Sequence, residues 1–481
     1  MSEYFTRQRF GRPQFLAGLL LSMFLTQTIW LLHVELRAGR EPDNLEAVRI
    51  REGWKQWHGR GVAGAPFSDA LDGRASAGAA NDGRTDPLAR DPRQNGSRFE
   101  AEHSPLLYLA SAAPLLAWPE HFLSAESARY WQWLPRLPFL ACGIFLGASL
   151  WYVARRLCGN NGGFVALTLY CFSPAMIQAS AVWHTEPEIV AAWGAFGAIF
   201  TAIAVAHTLY APREVVLWNW RRIVLLGISL AITVGSQFSM IVVVPMALAF
   251  LLYVAPVRRQ AAVVIWATGC VVGFVLLFAA YFFEPRVFVE GMHHAVFWGA
   301  TWRGFTVPGV YKEVALQIGR ACPALALALP VASVSYAMWP RTRYFGNTAP
   351  LLVGLLFLGL GMAHPHVAGA GFILSAIPFI FLFVSGVLAD LMETRYRPLV
   401  TAGIFGMLVA GKRLSELLNG LVESEDARVA LDSCPMSNAF CASNCIRKAI
   451  SSDWIRASSW GSPERAIRCS SLIWLSRSSC R

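Results

Sequence analysis

The stretch Gln14-Phe-Leu-Ala-Gly-Leu-Leu-Leu-Ser-Met-Phe-Leu-Thr-Gln-Thr-Ile-Trp-Leu-Leu-His33 decides the fold class of this chain. It contains no Asp, Glu, Lys or Arg, and about 20 apolar residues are what an α-helix needs to cross a bilayer. Arg7, Arg9 and Arg12 precede the stretch, and no small-residue cleavage site follows it. The stretch is also long for the apolar region of a signal peptide, so it predicts a retained transmembrane helix.

The rest of the chain repeats this pattern. Of its 481 residues, 55% are hydrophobic and 15% are charged, whereas soluble domains carry about 25% charged residues. Further apolar runs lie at 135–154, 163–181, 187–210, 223–255, 261–283, 314–338, 349–364, 367–389 and 398–411. Gly235-Ser-Gln-Phe-Ser239 is expected to divide the run 223–255 into a short helix and a second span. The sequence therefore predicts an all-α polytopic membrane protein with about eleven spans.

The arginines predict the orientation. The net charge of +11 comes largely from positive residues between the spans, which is typical of cytoplasmic loops rather than of nucleic-acid binding. With the N-terminus inside and 104–118 lying on the membrane as an interfacial helix, five arginine groups fall on the cytoplasmic side. They are Arg155 with Arg156, Arg213 with Arg221 and Arg222, Arg258 with Arg259, Arg341 with Arg343, and Arg395 with Arg397.

Two regions differ from the spans. A large first outer loop covers 34–134; its Gly-, Ala- and Asp-rich middle, about 63–98, resembles a flexible insertion, and Glu46–Trp57 is predicted to be helical. Residues 1–411 are predicted to form the membrane domain. The tail 412–481 is rich in Ser, Arg and Cys and has no helical periodicity. It is either a disordered extramembrane tail or the product of a changed reading frame, and we assign it no function.

Acidic residues collect where the first span enters the outer loop. Glu41-Pro-Asp43 follows Arg37 and Arg40 within ten residues of the span. Such a pair is often a solvated charge cluster at a helix end. It is also where a carboxylate would meet a substrate carried by a membrane lipid, and a positioned carboxylate is a common general base.

Several motifs in a fixed order resemble the polyprenyl-phosphate-sugar-dependent glycosyltransferases with the GT-C fold, which include protein O-mannosyltransferases and the lipid A aminoarabinose transferase. The motifs are Glu41-Pro-Asp43, His103-Ser-Pro-Leu-Leu-Tyr108, Arg136-Leu-Pro138, Tyr152-Val-Ala-Arg-Arg-Leu-Cys-Gly159, Ser173-Pro174, His184-Thr-Glu-Pro187 and Phe372-Ile-Leu-Ser-Ala-Ile-Pro378. The chain departs from the family at three points. Pro42 separates the acids, Glu186 stands where Asp is usual, and Ser104 replaces the first Pro of its motif.

The resemblance implies roles for particular residues. Asp43 is expected to be the catalytic base, with Glu41 as its close rival. Glu186 and His184 would orient the acceptor or hold a metal, although an acid before Pro187 also suits the start of a helix. The donor phosphate would be bound by His103, Arg60 and Lys55. No cofactor is identified; a divalent metal is left open, with His293-His294 and His364-Pro-His366 as further imidazole pairs.

The resemblance also implies partners and a location. The donor would be a hexose or pentose on a polyprenyl phosphate, and the acceptor a lipid, a glycan or a protein. The enzyme would lie in the bacterial inner membrane with its active site on the outer face. A transporter and a degenerate, inactive relative stay open as alternatives. The transporter is disfavoured because almost no charged residue lies inside a span and no internal repeat is visible.

Overall fold

A computed structural model describes residues 12–37, 44–59, 100–117, 132–181, 188–210, 220–298, 302–363, 367–394, 398, 400–404 and 406–407. Within these residues every regular element is a helix. Contacts divide the chain into units of residues 1–411 and 412–481. The tail 412–481 and the insertion 63–98 lie outside the described residues, so both assignments stay predictions.

Fourteen α-helices are described, joined in places by short 3₁₀ turns. They are α1 Pro13–Arg37, α2 Asn44–Gly59, α3 Pro105–Ala112, α4 Leu137–Cys171, α5 Pro174–Ala181, α6 Glu188–Thr208, α7 Trp220–Ser236, α8 Val243–Val254, α9 Arg259–Ala280, α10 Pro285–His294, α11 Pro308–Ala321, α12 Pro323–Met338, α13 Phe345–Ala363 and α14 Val367–Met392. The 3₁₀ turns are Ala113–Ala117, Leu134–Arg136, Phe238–Val242, Pro256–Arg258, Trp302–Thr306 and Pro340–Thr342.

Helix α4 doubles back on itself at Gly159, where φ is 71° and ψ is −175°. The reversal is visible in the packing, because Tyr170 Oη donates to Gly143 O at 2.5 Å. A straight helix of 27 residues would separate these two positions by about 40 Å. The two predicted spans 135–154 and 163–181 thus correspond to the two arms of α4, with α5 completing the second.

Two other predicted spans are interrupted. The run 223–255 breaks at Gln237, between α7 and the 3₁₀ turn that leads into α8, as Gly235–Ser239 predicted. The run 314–338 was expected to be one span but forms α11 and α12, which bend by 109°. The bend falls at Cys322, directly before Pro323. Proline disfavours a helical conformation in the residue before it, which explains this break.

Helix α14 lies at the centre of the bundle. Every residue from Gly371 to Ala389 is buried, and a helix that is apolar on all sides is expected to be surrounded by others. It packs against α13, α4, α6 and α12. Phe379 lies 5.3 Å from the ring of Phe196 on α6 and 5.7 Å from that of Phe357 on α13.

The number of spans is lower in the described residues than the sequence predicts. Six helices there are long and apolar enough to cross a membrane, or seven if the bent pair α11 and α12 counts as one. The chain is accordingly an all-α integral membrane protein. The predicted count of eleven is not confirmed; α7 and α8 are shorter than the usual span, and 398–411 is described only in part.

The helix directions define two ends of the bundle. Gly194 on α6 meets Thr233 on α7, and Gly197 meets Ser229, so these helices are antiparallel. Helices α1 and α4 are also antiparallel, because Gly143 lies near Phe24 and Gly147 near Leu21. Helices α13 and α14 are antiparallel as well, because Gly354 lies near Ile380 and Phe357 near Phe372. These directions bring the following helix ends to one side of the bundle. We call this the loop end: Arg37, Leu137, Glu188, Ser236, Ala280, Ala363 and Val367 lie there. The described arginine pairs of the sequence analysis lie at the opposite, arginine end.

Candidate functional site

At the loop end, the break at Gln237 leaves the last carbonyl groups of α7 without partners in their own helix. The segment Ala101–Ser104 provides hydrogen-bond donors for these carbonyl groups. Ser104 donates its backbone N–H (3.1 Å) and its Oγ (2.6 Å) to Gly235 O. His103 Nδ1 lies 2.6 Å from Ser236 O, and because a carbonyl oxygen only accepts, this nitrogen carries the proton. A buried carbonyl without a hydrogen-bond partner is costly, so these bonds hold the segment against α7.

The same segment joins two further elements. Phe238 N donates to Glu102 O at 2.9 Å, and Val296 N donates to Ala101 O at 2.8 Å. Ser104 also caps α3, since its Oγ accepts from Leu106 N at 3.3 Å, and Pro105 occupies the first helical position. The His103–Tyr108 motif therefore marks the point where α3, α7 and the chain after α10 meet.

Directly before this segment in the chain, the carboxylate of Glu100 accepts hydrogen bonds from α2 and α3 and lies near His103. Arg49 Nη2 on α2 lies 2.7 Å from Glu100 Oε1, with the two side chains only 7% and 14% exposed. Tyr108 Oη on α3 donates to Glu100 Oε2. His103 Nε2, on the ring whose other nitrogen binds α7, lies 3.9 Å from Glu100 Oε1. We call Arg49, Glu100, His103 and Tyr108 the Glu100 cluster.

The cluster stabilises the charged form of its acid. Burial by itself raises the pKa of Glu100, but the charges of His103 and Arg49 and the hydrogen bonds from Arg49 and Tyr108 hold that pKa below its usual value. Burial, together with the neighbouring Glu100 charge, raises the pKa of Tyr108 well above its ordinary value. Glu100 is therefore an anion and Tyr108 a neutral donor at neutral pH.

Helix α2 packs directly on α3. A Cβ at Gly53 would overlap the carbonyl of Tyr108, so the two backbones touch at a position that only glycine fits. Trp57 Nε1 donates to Leu109 O at 2.9 Å, and the Trp57 ring lies edge-on to Phe282 at 6.4 Å. The predicted helix Glu46–Trp57 is confirmed, and the structure shows what it packs against.

Helix α10 lies on the other side of α3. Its apolar residues Phe288 and Met292 pack around Tyr281 and Leu109. Its other face, with Pro285, Arg286, Val289, Glu290 and His293, is exposed. His293 and His294, one of the predicted imidazole pairs, end this helix with their ring centroids 5.8 Å apart. Among the described residues, no group of three or more His, Cys, Asp or Glu side chains is placed to hold a metal ion.

The predicted catalytic acids lie between two described helices. Glu41 and Asp43 are outside the described residues, but α1 ends at Arg37 and α2 begins at Asn44, both at the loop end. His184 and Glu186 also lie outside the described residues, between α5 and Glu188 at the start of α6. Arg60 and the pair His364 and His366 are likewise not described. All of these roles stay predictions.

Two of the predicted phosphate ligands are described. Lys55 lies on α2 with 47% of its side chain exposed, 3.9 Å from Glu52 Oε2. His103 is 7% exposed, and both of its ring nitrogens face protein atoms. In this structure Lys55 is thus open to a ligand, whereas His103 holds the segment in place.

Glu100 and Arg49 were not singled out by the sequence analysis. The signal that points to them is modest: Glu100 stands three residues before His103, and Arg49 lies on the helical face that carries Gly53 and Gln56, both buried. A charged residue at a buried helical position is expected to have a partner of opposite charge. The sequence does not say that this partner lies 51 residues away.

No protein-family model matches the chain, and no curated protein sequence matches it. Among solved structures, the chain is similar to the oligosaccharyltransferase of Archaeoglobus fulgidus in complex with zinc and sulfate (11% identity, TM-score 0.41, covering 66% of this chain and 44% of that one). It is also similar to AglB of the same organism in complex with an inhibitory peptide and a dolichol-phosphate (12% identity, TM-score 0.42, covering 67% and 48%). This chain spans less than half the length of either structure. At these values the likeness assigns neither fold family nor function.

Proposed function

We propose that this chain is an integral membrane glycosyltransferase of the GT-C type, which transfers a sugar from a polyprenyl-phosphate carrier to a lipid, glycan or protein acceptor. The proposal starts from the ordered motifs of the sequence. The observation that supports it in the structure is that the His103 segment and the described helix ends next to two other motifs lie at the loop end, whereas the Tyr152–Gly159 motif lies at the arginine end. Arg37 and Asn44 flank Glu41 and Asp43 in the sequence, and Glu188 follows His184 and Glu186.

The chemistry requires two groups near the membrane surface. A carboxylate must take a proton from the acceptor as it attacks the anomeric carbon, and a cation or hydrogen-bond donor must stabilise the departing phosphate. We assign the first role to Asp43, with Glu41 as the rival. Lys55 and Arg60, at the end of α2, are our candidates for the second, and Glu186 with His184 for orienting the acceptor.

The test is sugar transfer by the purified protein in lipid nanodiscs with a panel of radiolabelled polyprenyl-phosphate sugars. We expect Asp43→Asn to lower turnover by about 10²- to 10⁴-fold, which is the usual contribution of a general base. Glu41→Gln should have a smaller effect. Glu284→Gln removes an exposed carboxylate from the same end of the bundle and serves as the matched control.

The outcomes separate the alternatives. If only Glu41→Gln loses turnover, Glu41 is the base and the reaction class is unchanged. If the folded wild-type protein consumes no donor in the presence of lipid, the glycosyltransferase proposal fails, and the transporter and the inactive relative become the better explanations.

A further inference from the structure

We propose that Arg49 and Glu100 are positioning residues for the transfer reaction: their ion pair fixes helix α2, and with it the acid that directly precedes α2, against the membrane bundle. The inference rests on the proposed function and adds to it. Neither residue touches the reacting atoms in this account. They act through the placement of the element that carries the proposed base.

The first step is the rigidity of α2. Arg49 stands five residues after Asn44, which is about 7.5 Å along a helix axis. A helix of this length moves as one body, so whatever sets the position of Arg49 also sets the position of Asn44, the residue that follows Asp43 in the chain. The residues before Asn44 belong to a linker of six residues from α1. Among the side chains of α2 that the structure describes, Arg49 is the charged one closest to that linker, and it pairs with Glu100.

The second step is that Glu100 connects α2 to the bundle and not merely to a neighbouring loop. One oxygen of the carboxylate binds Arg49, and the other binds Tyr108 on α3. His103 faces the same carboxylate while its Nδ1 donates to Ser236 O of α7. A shift of α2 relative to α7 would therefore have to break a charge-assisted hydrogen bond, and such bonds are directional.

The third step is that the remaining contacts of α2 are less selective. Ile50 packs with Leu115 and Leu134 in a small apolar cluster, and apolar contacts are non-directional. The approach of Gly53 to Tyr108 and the bond from Trp57 to Leu109 O fix α2 to α3, which in turn is joined to α7 through Ser104. The ion pair adds a second connection of α2 to α7, through Glu100 and His103, and it is the connection that carries charge.

Buried charge makes the pair suitable for this role. Both side chains are largely removed from water, so the attraction between them is screened far less than at the surface. The chain also offers a surface counterpart: Arg341 Nη2 lies 2.6 Å from Glu393 Oε2 at the arginine end, with the two side chains 56% and 61% exposed. Glu393→Gln therefore removes the same chemical group from an equally short pair with no connection to α2.

The experiment compares Glu100→Gln, Arg49→Lys and Glu393→Gln with wild type in nanodiscs. Turnover and KM are measured with the donor that wild type uses, and hydrogen exchange is measured on the peptide covering α2. We expect Glu100→Gln to lower kcat per folded molecule by roughly 100-fold, the effect that a misplacement of about 1 Å can have. KM for the donor should change little, and exchange should rise in α2 but not in α14.

Arg49→Lys keeps the charge and loses the planar fork, so it should retain part of the turnover. This partial rescue and the separation of kcat from KM distinguish positioning from general stability, because loss of folded protein would lower all variants in proportion to their unfolded fraction. Should Glu100→Gln fold poorly, Arg49→Lys alone provides the comparison. Glu393→Gln should match wild type in both measurements.

Three results would overturn the proposal. Wild-type kcat in Glu100→Gln with raised exchange in α2 would show that α2 docks through the pair but that catalysis does not depend on it. Unchanged exchange in both variants would show that other contacts dock α2. If wild type consumes no donor while exchange in Glu100→Gln still rises, the proposed function has failed and the pair is a purely structural anchor.

Discussion

Ser104 stands where the family that the sequence resembles has its first proline, and its hydrogen bonds explain the difference. Both the backbone N–H and the Oγ of Ser104 donate to Gly235 O. Proline has neither donor. In this chain Ser104 therefore provides two hydrogen-bond donors to the end of α7 that a proline would lack. The departure from the family motif is thus compatible with an intact site.

Replacing Ser104 by Ala should weaken the loop end. The change removes one donor to the buried Gly235 O and the N-cap of α3, and a lost buried hydrogen bond costs about 1–3 kcal/mol. Ser104→Pro should cost more, since it also removes the N–H. Thermal unfolding in detergent measures both. Ser22→Ala is the control, because the exposed Ser22 Oγ donates to Gly18 O within α1 and such surface changes stay within about 0.5 kcal/mol. Equal losses in Ser104→Ala and Ser22→Ala would contradict this account.

His103 shows how far residue types alone can lead. Its motif marked it as important, and a histidine near a lipid phosphate is a reasonable ligand. The structure gives it two protein partners instead, and one of them, Ser236 O, lies 133 residues away in the chain. A helix break leaves carbonyl groups that need hydrogen-bond donors, but the sequence around Gln237 does not indicate which distant residue provides the donor. The pairing of His103 with Ser236 O is set by the tertiary structure.

At the scale of elements, the docking of α2 on α3 depends on one glycine. Gly53→Ala would force a Cβ into the carbonyl of Tyr108, and overpacking of a tight contact typically costs about 1–3 kcal/mol. Because backbone atoms are on the other side, no rotamer change relieves the overlap. We expect α2 to lose protection from hydrogen exchange.

Gly59→Ala is the matched control on the same helix, since a Cβ at Gly59 meets no atom within 4 Å. Alanine is the better helix former, so this variant should leave α2 docked or stabilise it slightly. Hydrogen exchange by mass spectrometry on the α2 peptide distinguishes the two variants. Equal protection in both would mean that α2 is held by its ion pair and its tryptophan bond without the backbone contact.

The helices themselves were largely predictable, and their interruptions only in part. Apolar runs located α1, α6, α9, α13 and α14 because a bilayer demands about 20 such residues in each. The break at Gln237 was anticipated from the Gly and Ser residues around it. The sequence did not predict the bend at Cys322, although Pro323 follows it. The apolar run continues through both residues, and hydrophobicity alone does not show where a helix axis changes direction.

At the scale of the whole molecule, the chain separates its charges between two ends. The loop end holds the Glu100 cluster and Arg37, the end of the helix that precedes Glu41 and Asp43 in the sequence. The arginine end holds Arg155, Arg222, Arg258 and Arg341 among the described residues. This division was predictable from the alternation of loops along the sequence. The cluster itself was not, because it joins residues from separate helices that only the folded bundle brings together.

The division of charges also predicts which end faces the cytoplasm. Loops rich in arginine stay inside because of the positive-inside rule, so the loop end and the proposed active site should face outward. A membrane-impermeant maleimide can test this in a chain whose ten cysteines are replaced by serine. Glu284→Cys, at the loop end, should react in intact cells. Asn161→Cys, exposed beside the Gly159 reversal, should react only after permeabilisation, which also serves as the control for accessibility. The opposite pattern would put the paired arginines outside and the acids of the outer loop in the cytoplasm. The outer-face part of the proposal would then be wrong, whereas the geometry of the Glu100 cluster, which depends only on contacts within the bundle, would stand unchanged.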